Sequence, residues 1–222
     1  MSFRAVVFDL DGTLLNSLLD IADAANAVLG AHGFPTHPTD AYRYFVGDGV
    51  RILIERVVPA SCRDDAPQLG QLIREFTDIY RQTWNVRSHV YDGVAEMLHA
   101  VADRKMAMAV LSNKPHDATR QCVDYYFPGA PFAAVLGQQP GRPPKPDVTG
   151  ALEIVQRLAV PAHSCLYLGD TAVDMETARR ANMFPVGAAW GFRPIDELER
   201  AGAAAIIRHP LELVELLDGR RP

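Results

Sequence analysis

Apolar positions along this chain follow two rhythms. Short unbroken apolar runs occur in "FRAVVFDLD" near the start and, from residue 88 onward, in "MAMAVLSN", "AAVLG", "SCLYLGD", "FPVGAAW" and "AAAIIR". Between them lie stretches with helical spacing, such as "DVTGALEIVQRLAV" and "TAVDMETARRAN". Strands buried on both faces read as such runs, and helices are the natural crossovers between parallel strands, so the pattern predicts an α/β fold: a parallel sheet with helices on both faces. Residues 17–87 break the alternation. They carry long amphipathic patterns, "SLLDIADAANAVLGAHG", "GVRILIERVV" and "LGQLIREFTDIYRQTW", with turn signals such as "FPTHPTD" and no convincing strand. The expected organisation is a core of residues 1–15 and 88–222, interrupted by an all-helical domain of residues 16–87.

Composition narrows the picture. The 222 residues suffice for one good core and a second, smaller domain. With 48% hydrophobic and 22% charged residues the chain has an ordinary globular balance. A formal charge of −5 argues against a broad polyanion-binding surface, and the one basic cluster, Arg220 and Arg221, ends the chain, so no nucleic-acid partner is expected. Cys62, Cys122 and Cys165 are odd in number and widely spaced, as in a reducing compartment. No signal peptide and no long apolar span is apparent, so a cytoplasmic protein without a membrane partner is expected, acting as a monomer or homodimer.

Ligands gather beyond the carboxyl ends of the strands in an open parallel sheet, so the polar residues that end apolar runs matter most. Asp9, Asp11, Gly12 and Thr13 follow the first run, Ser112, Asn113 and Lys114 the second, and Gly169, Asp170 and Thr171 a later one, with Asp174 one helical turn on. Lys145 and Pro146 close the loop after "AAVLG". Each group alone fits a cap, a turn or a solvated charge. Their joint fall beyond one sheet edge points to chemistry. Alternation on a strand puts Asp9 and Asp11 on one side, where their charges repel and a cation would offset the repulsion. In "GDGVRI", Ile52 fills the last place of G-x-G-x-x-G, which excludes a dinucleotide loop.

"FDLDGTL", "LSNK", "KP" and "GDTAVD" resemble, in order, the four motifs of the haloacid dehalogenase-like superfamily. The resemblance spans the core, and the helical insertion is similar to that superfamily's first type of cap domain. "VGDGVRIL", "YDGV", "LSNKP", "PPKPD" and "WGFRP" resemble phosphoglycolate phosphatases, with Asn16 departing from the Asp-Ser pair that often follows the first motif. The implied fold is a Rossmann-like parallel sheet core with helices on both faces plus an inserted all-helical cap. The implied activity is Mg²⁺-dependent hydrolysis of a small anionic phosphate ester through an aspartyl-phosphate. On that resemblance Asp9 is the nucleophile and Asp11 the acid and base. Asp9, Asp170, Asp174 and the Asp11 carbonyl attend the metal. Gly12, Ser112, Asn113 and Lys145 hold the phosphoryl group. From the cap, Gly47, Gly49 and Arg51 are expected to meet the substrate.

Individual residues bear on other activities of the same scaffold. A phosphosugar mutase shares the first motif and stays open. A dehalogenase needs no metal, which Asp11 and the pair Asp170 and Asp174 argue against. A phosphonate hydrolase would want a cap lysine, and residues 17–87 contain none. A phosphate-sensing protein would be expected to have lost one of the carboxylates.

Overall fold

A computed structural model describes residues 3–219; Arg220 and Arg221 lie outside the described residues. The first strand, β1 (Ala5–Phe8), is fully buried, as its unbroken "AVVF" requires. The chain then turns at Gly12, makes the two-residue β2 (Leu15–Asn16) and enters helices α1 (Leu18–Ala31), α2 (Tyr42–Phe45), α3 (Val50–Val57), α4 (Ala60–Arg63) and α5 (Ala66–Thr83). It returns through β3 (His89–Val90), which pairs antiparallel with β2. This ribbon stands where the helical segment leaves and rejoins the sheet, and at two residues per strand it is too short to carry a periodic signal.

From there helices and strands alternate: α6 (Val94–Asp103), β4 (Ala107–Pro115), α7 (His116–Tyr126), β5 (Phe132–Gln138), α8 (Thr149–Leu158), β6 (Cys165–Gly169), α9 (Ala172–Arg180), β7 (Phe184–Ala188), α10 (Ile195–Arg200), β8 (Ala205–Ile207) and α11 (Glu212–Leu217). Six strands form one sheet in the order β5-β4-β1-β6-β7-β8, and every pairing in it is parallel. The order reverses at β1, so the carboxyl ends of β1, β4 and β6 meet at the switch point where such sheets form their crevice.

Alternation along the strands divides the core in two. Val6 and Phe8 join Val110 and Leu168 on one face, while Ala5 and Val7 join Leu111 and Tyr167 on the other. Leu98 of α6 and Val123 of α7 cover the first face, and Ile154 of α8 and Ala178 of α9 the second. Helix α5 buries Leu69, Leu72, Phe76 and Tyr80, a stripe at helical spacing that is continuous with the first face. Asp65 caps α5 by accepting from the Gln68 N–H at 2.9 Å, and Pro67 suits its first turn. Where the segment rejoins the core, the buried Asp20 carboxylate accepts the Ser88 N–H at 2.9 Å and the Ser88 hydroxyl at 2.7 Å. Among the described residues no helix is long and apolar enough to cross a membrane.

Candidate active site

Three carboxylates converge at the switch point. Oxygens of Asp9, Asp170 and Asp174, all buried, lie within 4.8 Å of one another. Asp9 follows β1 directly and Asp170 follows β6, so parallel register sets them side by side. Asp174 sits in the first turn of α9, where it and Thr171 form a capping box: Thr171 donates its hydroxyl to Asp174 Oδ2 at 2.7 Å and its N–H at 3.1 Å.

One cation serves the cluster from within the protein. Lys145 Nζ donates to Asp9 Oδ1 at 2.7 Å and to Asp174 Oδ1 at 2.6 Å. Burial alone would lower its pKa, but the neighbouring Asp174 and Asp9 outweigh that and hold the ammonium charged. The lysine is aimed by Asn113, whose Oδ1 accepts the Lys145 N–H at 2.7 Å and whose Nδ2 donates to the Lys145 carbonyl at 3.0 Å. Even so, three carboxylates face one ammonium. Burial, then repulsion from Asp9 and Asp174, drives the Asp170 pKa well above the usual carboxylate range. Burial also raises Asp9, to about 7, against the pull of Lys145. Three oxygen donors with excess negative charge are the donor set that a hard divalent cation such as Mg²⁺ prefers.

Asp170 is held from both sides. Thr13 Oγ1 donates to its Oδ1 at 3.2 Å and the Phe192 N–H to its Oδ2 at 2.7 Å. The backbone approaches so closely here that side chains are excluded. A Cβ on Gly12, whose φ is +91°, would fall 2.2 Å from Asp170 Oδ2, and one on Gly191 would fall 2.2 Å from Asp170 Cβ.

Asp11 departs from the expected crowding. Its carboxylate is not in the three-acid group. Lys114 Nζ donates to both of its oxygens at 3.0 Å, and the Ser17 hydroxyl donates to Oδ1 at 2.6 Å. Strand β1 ends at Phe8, so the alternation rule no longer governs residues 9 to 11 and the turn at Gly12 carries the second carboxylate aside. Lys114 also donates to the Tyr80 hydroxyl of α5 at 2.8 Å, so the helical segment reaches this ion pair directly. Neither the Tyr80 contact nor the Gly191 approach was legible beforehand. The only signals were the "SNK" and "WGFRP" stretches, and the sequence does not say what either would touch.

A cavity of about 220 Å³ opens over the cluster. Its sheet side is lined by Asp9, Asp11, Ser112, Asn113 and Thr171, and its far side by residues of the helical segment. Gly47 and Gly49, with φ of +116° and +92°, line it at the start of α3, and Asn113 Nδ2 donates to the Gly47 carbonyl at 3.0 Å. The site thus gathers Asp9, Gly12, Gly47, Gly49, Ser112, Asn113, Lys145, Asp170 and Asp174 around one place, with Asp11 at its side. Arg51 is the exception and corrects the expectation. It does not line the cavity; its side chain is 67% exposed and pairs with Glu55 at 2.8 Å, one turn along the outer face of α3.

Comparisons with known proteins agree with this geometry. Residues 6–188 match the family model of haloacid dehalogenase-like hydrolases. An N-acetylmuramic acid 6-phosphate phosphatase of Pseudomonas aeruginosa is 29% identical over 98% of this chain and 96% of its own. A phosphoglycolate phosphatase of Mesorhizobium japonicum is 31% identical over 98% of this chain and 97% of its own. A crystal structure from Lactobacillus delbrueckii subsp. bulgaricus, described as that of a candidate phosphoglycolate phosphatase, superposes with a TM-score of 0.91 at 26% identity, covering 98% of this chain and 99% of the other. With its motif residues gathered at one sheet edge and a family match over most of its length, the chain belongs to the haloacid dehalogenase-like hydrolase family.

Proposed function

We propose that this chain is a phosphomonoester hydrolase that works through an aspartyl-phosphate on Asp9, with 2-phosphoglycolate as its leading substrate. The observation that carries the reading is the buried group of Asp9, Asp170 and Asp174 beside Lys145, opening on a cavity closed by the helical segment. That segment, residues 16–87, is read as a cap domain over a core of residues 1–15 and 88–222. The phosphoglycolate assignment is supported by relatives that bear that name and by the start of α3, where Gly47 and Gly49 let backbone amides approach a second anionic group. N-acetylmuramic acid 6-phosphate, from the name of another relative, is the second reading, favoured by cavity space beyond the cluster. The three buried, unpaired cysteines fit a reducing, cytoplasmic location.

The steps follow from the side chains. The Asp9 carboxylate attacks phosphorus, the P–O bond to the leaving alcohol breaks, and Asp11 gives that oxygen its proton. Water then attacks the phosphoryl group of the aspartyl-phosphate. Asp11 takes its proton, phosphate leaves and the Asp9 carboxylate is restored. Lys145 places positive charge beside Asp9, where an anion must meet an anion. In this reading the Ser112 hydroxyl and the Asn113 backbone N–H hold the phosphoryl oxygens, while the Gly12 N–H donates to the Leu15 carbonyl at 2.8 Å and so shapes the turn rather than meeting the substrate. Asp9, Asp170 and Asp174, with the Asp11 carbonyl, would hold Mg²⁺, which supplies further charge neutralisation for the phosphoryl group when bound.

Lys114 stabilises the Asp11 anion that remains after proton donation. Lys114→Met is therefore expected to lower kcat about a hundredfold while KM changes only a fewfold. Steady-state kinetics check this; a rise in KM at unchanged kcat would instead make Lys114 a substrate-binding residue. The reading as a whole is tested by a panel of phosphate esters assayed with and without Mg²⁺ for phosphate release. Hydrolysis of 2-phosphoglycolate that needs Mg²⁺ is expected. Absence of release from any ester would overturn it.

A further inference from the structure

The wall of the cavity facing the cluster is apolar in a way that glycolate does not need. Val46, Val50, Leu53, Phe76, Trp84 and Phe192 all line it. Phe76 and Trp84 are held in place by neighbours rather than loosely draped: Phe76 stacks on Tyr80 at 5.6 Å, and Trp84 meets Tyr126 edge-on at 5.7 Å. The cations within reach are engaged elsewhere. Lys114 is bonded to Asp11 and Tyr80, Arg81 lines the cavity but pairs with Asp78 at an exposed position, and Arg51 lies outside. A leaving group that extends from phosphorus toward Val50, Leu53 and Phe76 meets hydrocarbon. Thr77, Arg81, Asp117 and Gln121 also line the cavity, so the apolar residues form one wall of it rather than its whole surface.

From this surface, and resting on the phosphatase reading above, we infer that the leaving-group subsite between α3 and α5 is built for an apolar segment. The substrate range then extends beyond 2-phosphoglycolate to phosphate monoesters whose alcohol carries a hydrocarbon stretch or flat ring. Each methylene that leaves water for this wall contributes about a fourfold gain in binding. That gain becomes specificity when it is kept in the transition state.

The test is a homologous series, ethyl, butyl and hexyl phosphate, whose leaving alcohols differ little in acidity. With Mg²⁺ present, kcat/KM is expected to rise at least about thirtyfold from ethyl to hexyl phosphate. Phe76→Ala should flatten the rise. Val50→Asp should do the same with less risk to folding, because Val50 opens α3 and an acid suits a helix start. A flat or falling series in an enzyme that hydrolyses 2-phosphoglycolate would overturn the inference and leave the phosphatase reading intact. Calorimetric binding of ethylphosphonate and hexylphosphonate reads the wall without turnover. A similar preference for the longer chain is expected, and equal affinities would refute the inference. If hexylphosphonate binds preferentially but no ester is hydrolysed, the wall is as described and the phosphatase reading has failed.

Discussion

Replacing Asp9 with Asn is expected to reduce phosphate release by about four powers of ten or more while leaving the circular dichroism spectrum unchanged. The amide keeps the volume, and its oxygen can still accept from Lys145 Nζ, which now stands 2.7 Å from Asp9 Oδ1. What it loses is the anionic oxygen that, in the proposed mechanism, attacks phosphorus. Folding should not suffer, because Asp9 is a crowded anion: burial raises its pKa to about 7, and Asp174 adds to the rise. An anion held at such cost destabilises the fold wherever it is ionised, so a neutral isostere relieves the site. Activity within tenfold of the parent would contradict the covalent mechanism.

The second large effect is expected at Asp170. Asp170→Asn should raise the melting temperature of the metal-free protein and abolish the further rise expected of Mg²⁺ in the parent. The amide can rotate so that its oxygen accepts the Phe192 N–H and its NH₂ donates to the Thr13 hydroxyl, so both existing contacts survive in some form. The substitution removes one of three mutually repelling carboxylates, which is why the metal-free variant gains stability. At a hundredfold excess of Mg²⁺ over its Kd, binding at this site would add about 2.7 kcal/mol to the parent, a shift of about 5 to 10 °C for a chain of this size. Thermal scans with and without Mg²⁺ check both halves. A variant whose Mg²⁺ shift equals that of the parent would mean that the ion binds elsewhere. Asp174 is a poorer probe of the metal, since its oxygens also cap α9 and accept from Lys145.

The residues that were legible in the sequence are those whose position follows from strand endings. Asp9 and Asp170 each follow a buried run, Ser112 and Asn113 follow the apolar part of β4, and parallel register then places them at one edge without further information. All six strands of the main sheet fall on the apolar runs that predict them, most plainly β1 and β6, which are buried on both faces and apolar throughout. Illegible features depend on contacts between distant segments. Tyr80 meets Lys114 across 34 positions, and Gly191 lies against Asp170 because a loop folds back over the cluster. The direction of Arg51 is illegible for a related reason: it stands two positions from Gly49, which does line the cavity, but the first turn of α3 rotates its side chain outward to Glu55. Strand alternation does not give the aim of Asp11, because the strand stops at Phe8.

The claim on which the account turns is that Asp9 carries the phosphoryl group between substrate and water. Rapid acid quench of the enzyme turning over 2-phosphoglycolate with Mg²⁺, followed by borohydride reduction and peptide mass spectrometry, measures it directly. An acyl-phosphate at Asp9 should appear as homoserine at that position, in parent enzyme only and only with substrate present. Steady turnover with residue 9 recovered solely as aspartate, while the same treatment does trap a phosphorylated aspartate of a control protein, would contradict the account and point to direct attack by water.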